Sequence, residues 1–180
     1  EEPSINIAII GRPNAGKSSL TNKMTDNDRS IVSDVAGTTR DAIDTLVEHN
    51  GTRYTIVDTA GLRRKSQIDE DVEYYGFVRA MRAIDRADVA ILVIDSTLGL
   101  TDQDQRVASF AAERGCAMVI VLNKWDLIEK ESNTMKEWRE FLEKKFAPFS
   151  DLPIIFTSVI NKQRILDVLG ITVQTDVASD

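Results

Sequence analysis

The sequence predicts an α/β fold, with a mostly parallel six-stranded sheet, one antiparallel strand and helices on both faces. Three observations predict it. Short apolar runs alternate with amphipathic stretches of helix length. One pair of runs is joined through Asn50-Gly51, a hairpin signal, so that pair is antiparallel. The other runs are joined by helix-length segments, the connection that parallel strands need.

The elements follow in order. Ile5–Ile10 reads as a short buried strand, and Ser18–Met24 can open a helix after the glycine-bearing loop between them. Thr25 to Asp41 is polar, has no clear period and is long for a loop, and such loops are often functional. Ile43–Glu48 and Tyr54–Asp58 are the hairpin strands, separated by His49-Asn50-Gly51-Thr52. A helix over Val72–Arg86 places Phe77, Met81 and Ile84 on one face. Val89–Asp95 is the fourth strand. A helix marked by Val107, Phe110 and Ala111 follows Thr101-Asp102, then comes the strand Ala117–Leu122. Trp138, Phe141, Leu142 and Phe146 line a helix that ends near Ala147-Pro148, and these aromatics read as core. Ile154–Phe156 is the sixth strand. A last helix signal over Gln163–Leu169 breaks at Gly170.

Composition bounds the rest. The chain has 180 residues, enough for one domain with a real core. Residues 5–169 form that domain, with 1–4 as a linker remnant and 170–180 as a flexible or truncated tail. Apolar runs such as Val89–Ile94 are far too short to span a bilayer, and Glu1–Ser4 is no signal peptide. Cys116 is the only cysteine, which rules out an internal disulfide, favours a reducing compartment and suits a small core residue. His49 is the only histidine, so clusters and triads built on several histidines are excluded, and its position suggests the surface. A net charge of −7 argues against binding nucleic acid through broad electrostatics. Arg63-Arg64-Lys65 is the only dense basic run, readable either as a solvated surface or as a partner-facing patch.

Four motifs carry chemistry. Gly11-Arg12-Pro13-Asn14-Ala15-Gly16-Lys17-Ser18, followed by Ser19, fits Gly-x-x-x-x-Gly-Lys-Ser/Thr. Backbone N–H groups of such a loop wrap a polyphosphate, and the helix N-terminus adds partial positive charge. Lys17 reaches the outer phosphates, and the Ser18 hydroxyl can ligate magnesium. Asp58-Thr59-Ala60-Gly61 closes the third strand. Its carboxylate can hold magnesium through a water, while the Gly61 N–H meets the terminal phosphate. Asn123-Lys124-Trp125-Asp126 closes the fifth strand, where α/β sheets bind ligands. Asp126 can accept from the ring N–H and the exocyclic amine of guanine, a donor pair adenine lacks. Asn123 can tie this corner to the phosphate loop, and the Lys124 stem can cover one face of the base. Thr157-Ser158-Val159 follows the sixth strand and can bring a backbone N–H near the base. Gly37-Thr38-Thr39-Arg40-Asp41 lies in the long polar loop. Thr39, or Thr38, can complete the magnesium shell only when the terminal phosphate is present, which makes that loop a switch. Together these motifs describe a P-loop NTPase of the Ras-like G-domain type, and a GTP-hydrolysing enzyme.

With those residues in hand, the chain resembles the EngA (Der) family of bacterial ribosome-assembly GTPases, and their second GTPase domain in particular. The resemblance covers about residues 5 to 169 and rests on Gly11–Ser18, Gly37 to Asp44, Asp58 to Lys65, Val72-Glu73-Tyr74-Tyr75, Arg79-Ala80-Met81-Arg82-Ala83-Ile84 and Asn123–Asp126. It implies GTP and GDP as ligands, Mg2+ as cofactor, a cytoplasmic setting (or an organelle stroma or matrix of bacterial type) and no membrane. It also implies a role in maturation of the large (50S) ribosomal subunit, with Arg63-Arg64-Lys65 available to ribosomal RNA. A second GTPase domain and a KH-like domain belong to the rest of such a protein. Two departures stand out. Ser158-Val159 replaces the family's Ser-Ala, and Ile160-Asn161-Lys162-Gln163 differs from the usual form. Leu62 stands where signalling GTPases often carry a water-orienting glutamine, so catalysis falls to Lys17, Thr39, Gly61 and Asn14 with bound ions. By resemblance to potassium-stimulated members, K+ is the expected monovalent cation, with the Asn14 side-chain oxygen as its ligand. Two alternatives stay open: a nucleotide-gated binding module with negligible hydrolysis, and a tRNA-modification-type GTPase domain, which shares Asn14 and Gly37–Asp41.

Overall fold

The computed structural model describes residues 4–12, 15–25, 44–58, 72–147, 149, 152–158 and 164–170. The elements are β1 (Ile5–Gly11), α1 (Lys17–Thr25), β2 (Thr45–His49), β3 (Thr52–Ile56), α2 (Val72–Asp85), β4 (Val89–Asp95), α3 (Asp102–Glu113), β5 (Ala117–Asn123), α4 (Thr134–Lys145) and β6 (Ile154–Phe156), with a final helix α5 over residues 164–170. A 3-10 turn, Trp125–Leu127, follows β5.

One sheet runs in the order β2-β3-β1-β4-β5-β6. All neighbouring pairs are parallel except β2 and β3. The expected fold class is therefore the observed one. β4 is buried along its whole length, which explains its unbroken apolar run from Val89 to Ile94: both faces are covered, and its one polar residue, Asp95, stands at the end. Alternate residues of β1 then serve two cores. Ala8 and Ile10 pack with α2, α3 and α4 through Ile84, Val107, Ala111, Leu142 and Phe146. Ile7 and Ile9 pack on the opposite face with Leu20 and Met24 of α1 and Ile165, Leu166 and Leu169 of α5.

Several boundaries differ from the sequence expectation, each for a local reason. The hairpin turn is only Asn50-Gly51, because both residues adopt positive φ (51° and 80°), as a two-residue turn of the I′ kind needs. His49 and Thr52 are thereby freed to pair with each other. β3 stops at Ile56 instead of Asp58, since Asp58 has φ 58° and leaves the extended conformation. β1 and β5 each run one residue further than expected, through Gly11 pairing Val93 and Asn123 pairing Asp95. α3 starts at a capping box in which Thr101 and Asp104 satisfy each other's backbone N–H groups.

The aromatic face of α4 is only half core. Leu142 and Phe146 are buried and Trp138 is partly buried, but Phe141 is 42% exposed. Phe141 lies edge-on to Trp138, with the Lys145 ammonium over its ring. Cys116 is core as expected; burial, with a smaller contribution from Asp88, pushes its thiol up to about 12, so it stays protonated. His49 is a partly buried residue whose Nε2 lies 2.9 Å from Asp167 on α5.

Candidate functional site

The parallel strands bring the ends of β1, β3, β4, β5 and β6 to one edge of the sheet. Between β1 and β4 the connections diverge to opposite sides of the sheet, the place where such folds bind ligands.

The glycine-bearing loop is built tightly there. A Cβ on Gly11 would meet the Val93 carbonyl oxygen at 2.7 Å, so only glycine lets β1 lie this close to β4 at its end. Gly16 has φ +114°, and a Cβ there would fall 2.1 Å from the Asn123 Nδ2. Within the loop the Ala15 N–H donates to the Arg12 carbonyl at 3.2 Å, and α1 begins with the Leu20 N–H on the Gly16 carbonyl. The Lys17 side chain is buried and donates to the Gly11 carbonyl at 2.8 Å, folding back across the loop it follows. Ser18 and Ser19 are exposed in the first turn of α1. The Arg12 guanidinium donates to the Gly99 carbonyl, linking the loop to the segment after β4.

The corner after β5 is tied to this loop. The buried Asn123 amide donates to the Ala15 carbonyl at 2.9 Å. The Asn123 carbonyl accepts from the Ser96 hydroxyl and N–H, which anchors it to the end of β4. Lys124 adopts φ 59°, in the left-handed region, and its ammonium lies 2.9 Å from the buried Asp95 carboxylate. Burial pushes the Asp95 carboxyl up, but hydrogen bonds from the Thr97 side chain, Lys124 and the Thr97 backbone, with the Lys124 charge, outweigh it. Asp95 is held below the ordinary carboxylate range and stays ionised. Trp125 is buried against Phe156, ring centroids 4.7 Å apart, and its backbone N–H donates to the Thr157 carbonyl. That packing turns Asp126 outward, where it is exposed. Ser158, next along β6's exit, is exposed too.

The third corner is looser. Asp58 stands just past β3 with its side chain 27% exposed and 3.9 Å from the Arg79 guanidinium of α2. Its N–H donates to Asp44 Oδ1 at 2.8 Å, and Asp44 Oδ2 takes the Arg86 guanidinium. A small pocket between the sheet end and α2 is lined by Gly11, Lys17, Asp58 and Arg79 among others, so the first and third corners share one opening.

The structure thus joins the loop residues Gly11, Arg12, Ala15, Gly16 and Lys17, which run on into Ser18 and Ser19 of α1, to Asn123, and it puts Asp58 in the same opening as Lys17; Asp126 and Ser158 stand exposed beyond the ends of β5 and β6. The expectations on Pro13, Asn14, Thr38, Thr39, Thr59, Ala60, Gly61, Leu62, Val159 and Arg63-Arg64-Lys65 lie outside the described residues. Three residues were missed: Asp44, Arg79 and Asp95. Asp95 carried a signal, an ionisable residue ending a wholly apolar strand at the ligand edge of an α/β sheet. Asp44 and Arg79 stood in stretches that carried the family resemblance, but nothing there pointed to these roles, which depend on strand register and helix position.

Residues 6–124 match the family described as 50S ribosome-binding GTPase. The chain is 52% identical over 169 residues to GTPase Der of Caldanaerobacter subterraneus subsp. tengcongensis, covering 94% of this chain and 38% of that protein. It is 54% identical over 162 residues to GTPase Der of Pelotomaculum thermopropionicum, covering 90% of this chain and 37% of that one. The chain therefore spans well under half the length of the curated relatives it matches, and the resemblance to EngA (Der) drawn from the motifs is met by these relatives. Among solved structures it is similar in fold to a bacterial selenocysteine-specific elongation factor EF-Sec (TM-score 0.63, 21% identity, 99% of this chain and 29% of that chain). It is also similar to the translation elongation factor SelB of Methanococcus maripaludis with a GTP analogue (TM-score 0.64, 17% identity, 97% of this chain and 34% of that chain). The family match runs from β1 through the glycine-bearing loop to the Asn123-Lys124 corner, and on it the chain belongs to the 50S ribosome-binding GTPase family.

Proposed function

We propose that this chain binds guanine nucleotides with Mg2+ and hydrolyses GTP to GDP and phosphate, as a conformational switch in assembly of the large ribosomal subunit. One observation carries the reading: the Asn123 amide donates to the Ala15 carbonyl beneath Gly16, which locks the base-side corner to the glycine-bearing loop at a fixed spacing. A phosphate cradle and a carboxylate for the base are useful together only if that spacing is held. The ribosomal part is supported by the family description and by the Der relatives, with large-subunit RNA or protein as partner.

In this reading the loop N–H groups and the Lys17 ammonium hold the phosphates, and Asp126 selects guanine. Thr59, Ala60, Gly61, Leu62, Ser158 and Val159 complete the contacts. The donors proposed for the phosphate end suit a hard divalent cation: the Ser18 hydroxyl, the partly exposed Asp58 carboxylate acting through a water, and the Thr39 hydroxyl. Among the described residues no group of three or more acidic, histidine or cysteine side chains gathers, so phosphate oxygens and water would fill the remaining positions. When bound, Mg2+ neutralises charge on the phosphates. The protein's part is to place Lys17 and the Gly61 N–H where charge grows as water attacks the terminal phosphate. Leu62 offers that water no hydrogen bond, so Asn14 with K+ is assigned the missing positive partner.

Leu62 also favours a second reading, a nucleotide-gated module that barely hydrolyses. Single-turnover GTP and ATP hydrolysis in matched potassium and sodium buffers, with Asn14→Ala alongside, separates them. The expected result is GTP over ATP by about a hundredfold, since Asp126 stays unpaired against adenine. Potassium should stimulate hydrolysis, and Asn14→Ala should remove the stimulation. Tight GTP binding with no turnover in either salt selects the gated module, and equal use of ATP sinks both readings.

A further inference from the structure

We propose that Asp44 is a positioning residue for Asp58, holding the backbone, and through it the carboxylate, at the phosphate end of the site. This rests on the reading above, in which Asp58 helps to hold Mg2+. Asp58 has φ 58°, a conformation uncommon for residues other than glycine. Such a conformation persists where the surroundings impose it. Two neighbouring amide hydrogen bonds fix the peptide planes that lead into Asp58, and so the place of its Cα. The Val57 N–H donates to the Ile7 carbonyl at 2.9 Å, and the Asp58 N–H donates to Asp44 Oδ1 at 2.8 Å.

The register explains why Asp44 can reach. Thr45 pairs with Ile56, so Asp44 stands one residue beyond the ladder, beside the point where β3 turns out of the sheet. Its side chain is only 10% exposed, and its second oxygen is taken by Arg86, just past the end of α2. Asp44 therefore clasps β2, the exit of β3 and the end of α2 at one carboxylate. The Arg79 contact cannot do this work. It is 3.9 Å long, comes from a side chain 47% exposed, and pulls on the carboxylate without fixing the backbone. Losing the bond from the Asp58 N–H to Asp44 would free the Val57–Asp58 peptide plane, and with it the Cα from which the carboxylate projects at the opening shared with Lys17. Partners of this kind orient the groups that hold a metal, directly or through a water, and loss of one weakens metal affinity.

The test uses Asp44→Ala, Asp44→Asn and Arg86→Gln. GDP affinity is measured with Mg2+ and with the metal chelated, and exchange of the Asp58 amide hydrogen is followed by NMR without metal. Asp44→Ala should lose about tenfold in affinity with Mg2+ and stay within about twofold of wild type without it. Its Asp58 amide should exchange faster. Asp44→Asn keeps an acceptor for that N–H and should restore most of the magnesium response. If Asp44→Ala does not fold, Arg86→Gln takes its place, with a loss of about threefold confined to Mg2+ conditions. A wild-type ratio of the two affinities in these variants, or equal loss with and without metal, overturns the role of Asp44 alone. A wild-type chain whose GDP affinity ignores Mg2+ overturns the underlying reading as well.

Discussion

The Asn123–Asp126 corner and the Asp58 corner sit on the same sheet edge and use the same backbone device. Lys124 and Asp58 are both non-glycine residues at positive φ just past a strand end, 59° and 58°; Asp95 of β4 holds the Lys124 ammonium, and Asp44, just before β2, holds the Asp58 N–H. They differ in what surrounds that device. Asn123 is 7% exposed and joins the ends of β1, β4 and β5 through short bonds, and Trp125 adds the end of β6. Asp58 is held by one amide bond and a long, half-exposed ion pair. The base-side corner is thus set by the protein's own packing before any ligand arrives. On the proposed reading, the Asp58 carboxylate at the phosphate side is left for a ligand and its ion to complete. Specificity belongs on the first kind of corner, because discrimination needs groups that cannot adapt. A switch belongs on the second, because an equilibrium can be shifted only where ligand contacts differ between states.

The hardest blow to the rigid corner is Gly16→Ala. The new methyl would stand 2.1 Å from the Asn123 amide, on a backbone at φ +114°. Strain of about 1–3 kcal/mol and a lost buried hydrogen bond of about 1–3 kcal/mol combine to about a hundredfold or more in GDP affinity. Isothermal titration of the variant measures it. Affinity within threefold of wild type would mean that the corner adapts, and the contrast with Asp58 would fall.

Asn123→Ala sharpens the comparison by removing only the bridge. The Ala15 carbonyl is left without its amide donor, at a cost of about 1–3 kcal/mol, or roughly ten- to a hundredfold in GDP affinity. The loss should be the same with and without Mg2+, because the bridge lies on the base side. That is the opposite of the pattern expected for Asp44→Ala. A loss that appears only with Mg2+ would show the two corners to be one unit.

How much of this was legible depends on what each residue's role requires. The glycine-bearing loop was readable because close approach to Val93 and to Asn123 excludes any other residue at Gly11 and Gly16. The bridge from Asn123 was readable because a buried amide at a strand end needs a partner, and the loop was the nearest candidate. The sheet order followed from connection lengths. Asp44 was not readable, since an aspartate opening a strand looks like any other until the Thr45–Ile56 register places it beside Asp58. Nor was the left-handed turn at Asp58, which shortened β3 and which nothing in Val57-Asp58 marks. Phe141 read as core because helical spacing cannot show how wide the buried stripe of α4 is, and Phe141 is 42% exposed.

The smallest expected effect concerns the aspartate that holds Lys124, and it tests whether the rigid corner stays rigid in acid. Asp95→Asn keeps an oxygen for Thr97 and removes the charge that holds the Lys124 ammonium. The lysine side chain is 38% exposed, so solvent screens the pair, and its loss should cost about 0.2–1 kcal/mol, at most about fivefold in GDP affinity. The sign with pH follows from the direction of the shift. The folded carboxyl titrates below its ordinary value of 3.8, so its contribution is fully present above that value and is lost only as pH falls through the lower folded value. Taking the ratio of wild-type to Asp95→Asn affinity cancels the titration of the nucleotide phosphates, which both chains share. That ratio should be flat from about pH 7 to about pH 5 and approach unity only below about pH 4. A ratio that already shrinks between pH 7 and 6 would mean that Asp95 gains its proton there. The base-side corner would then carry a titrating hinge, and the division between a fixed corner and an adjustable one would have to be redrawn.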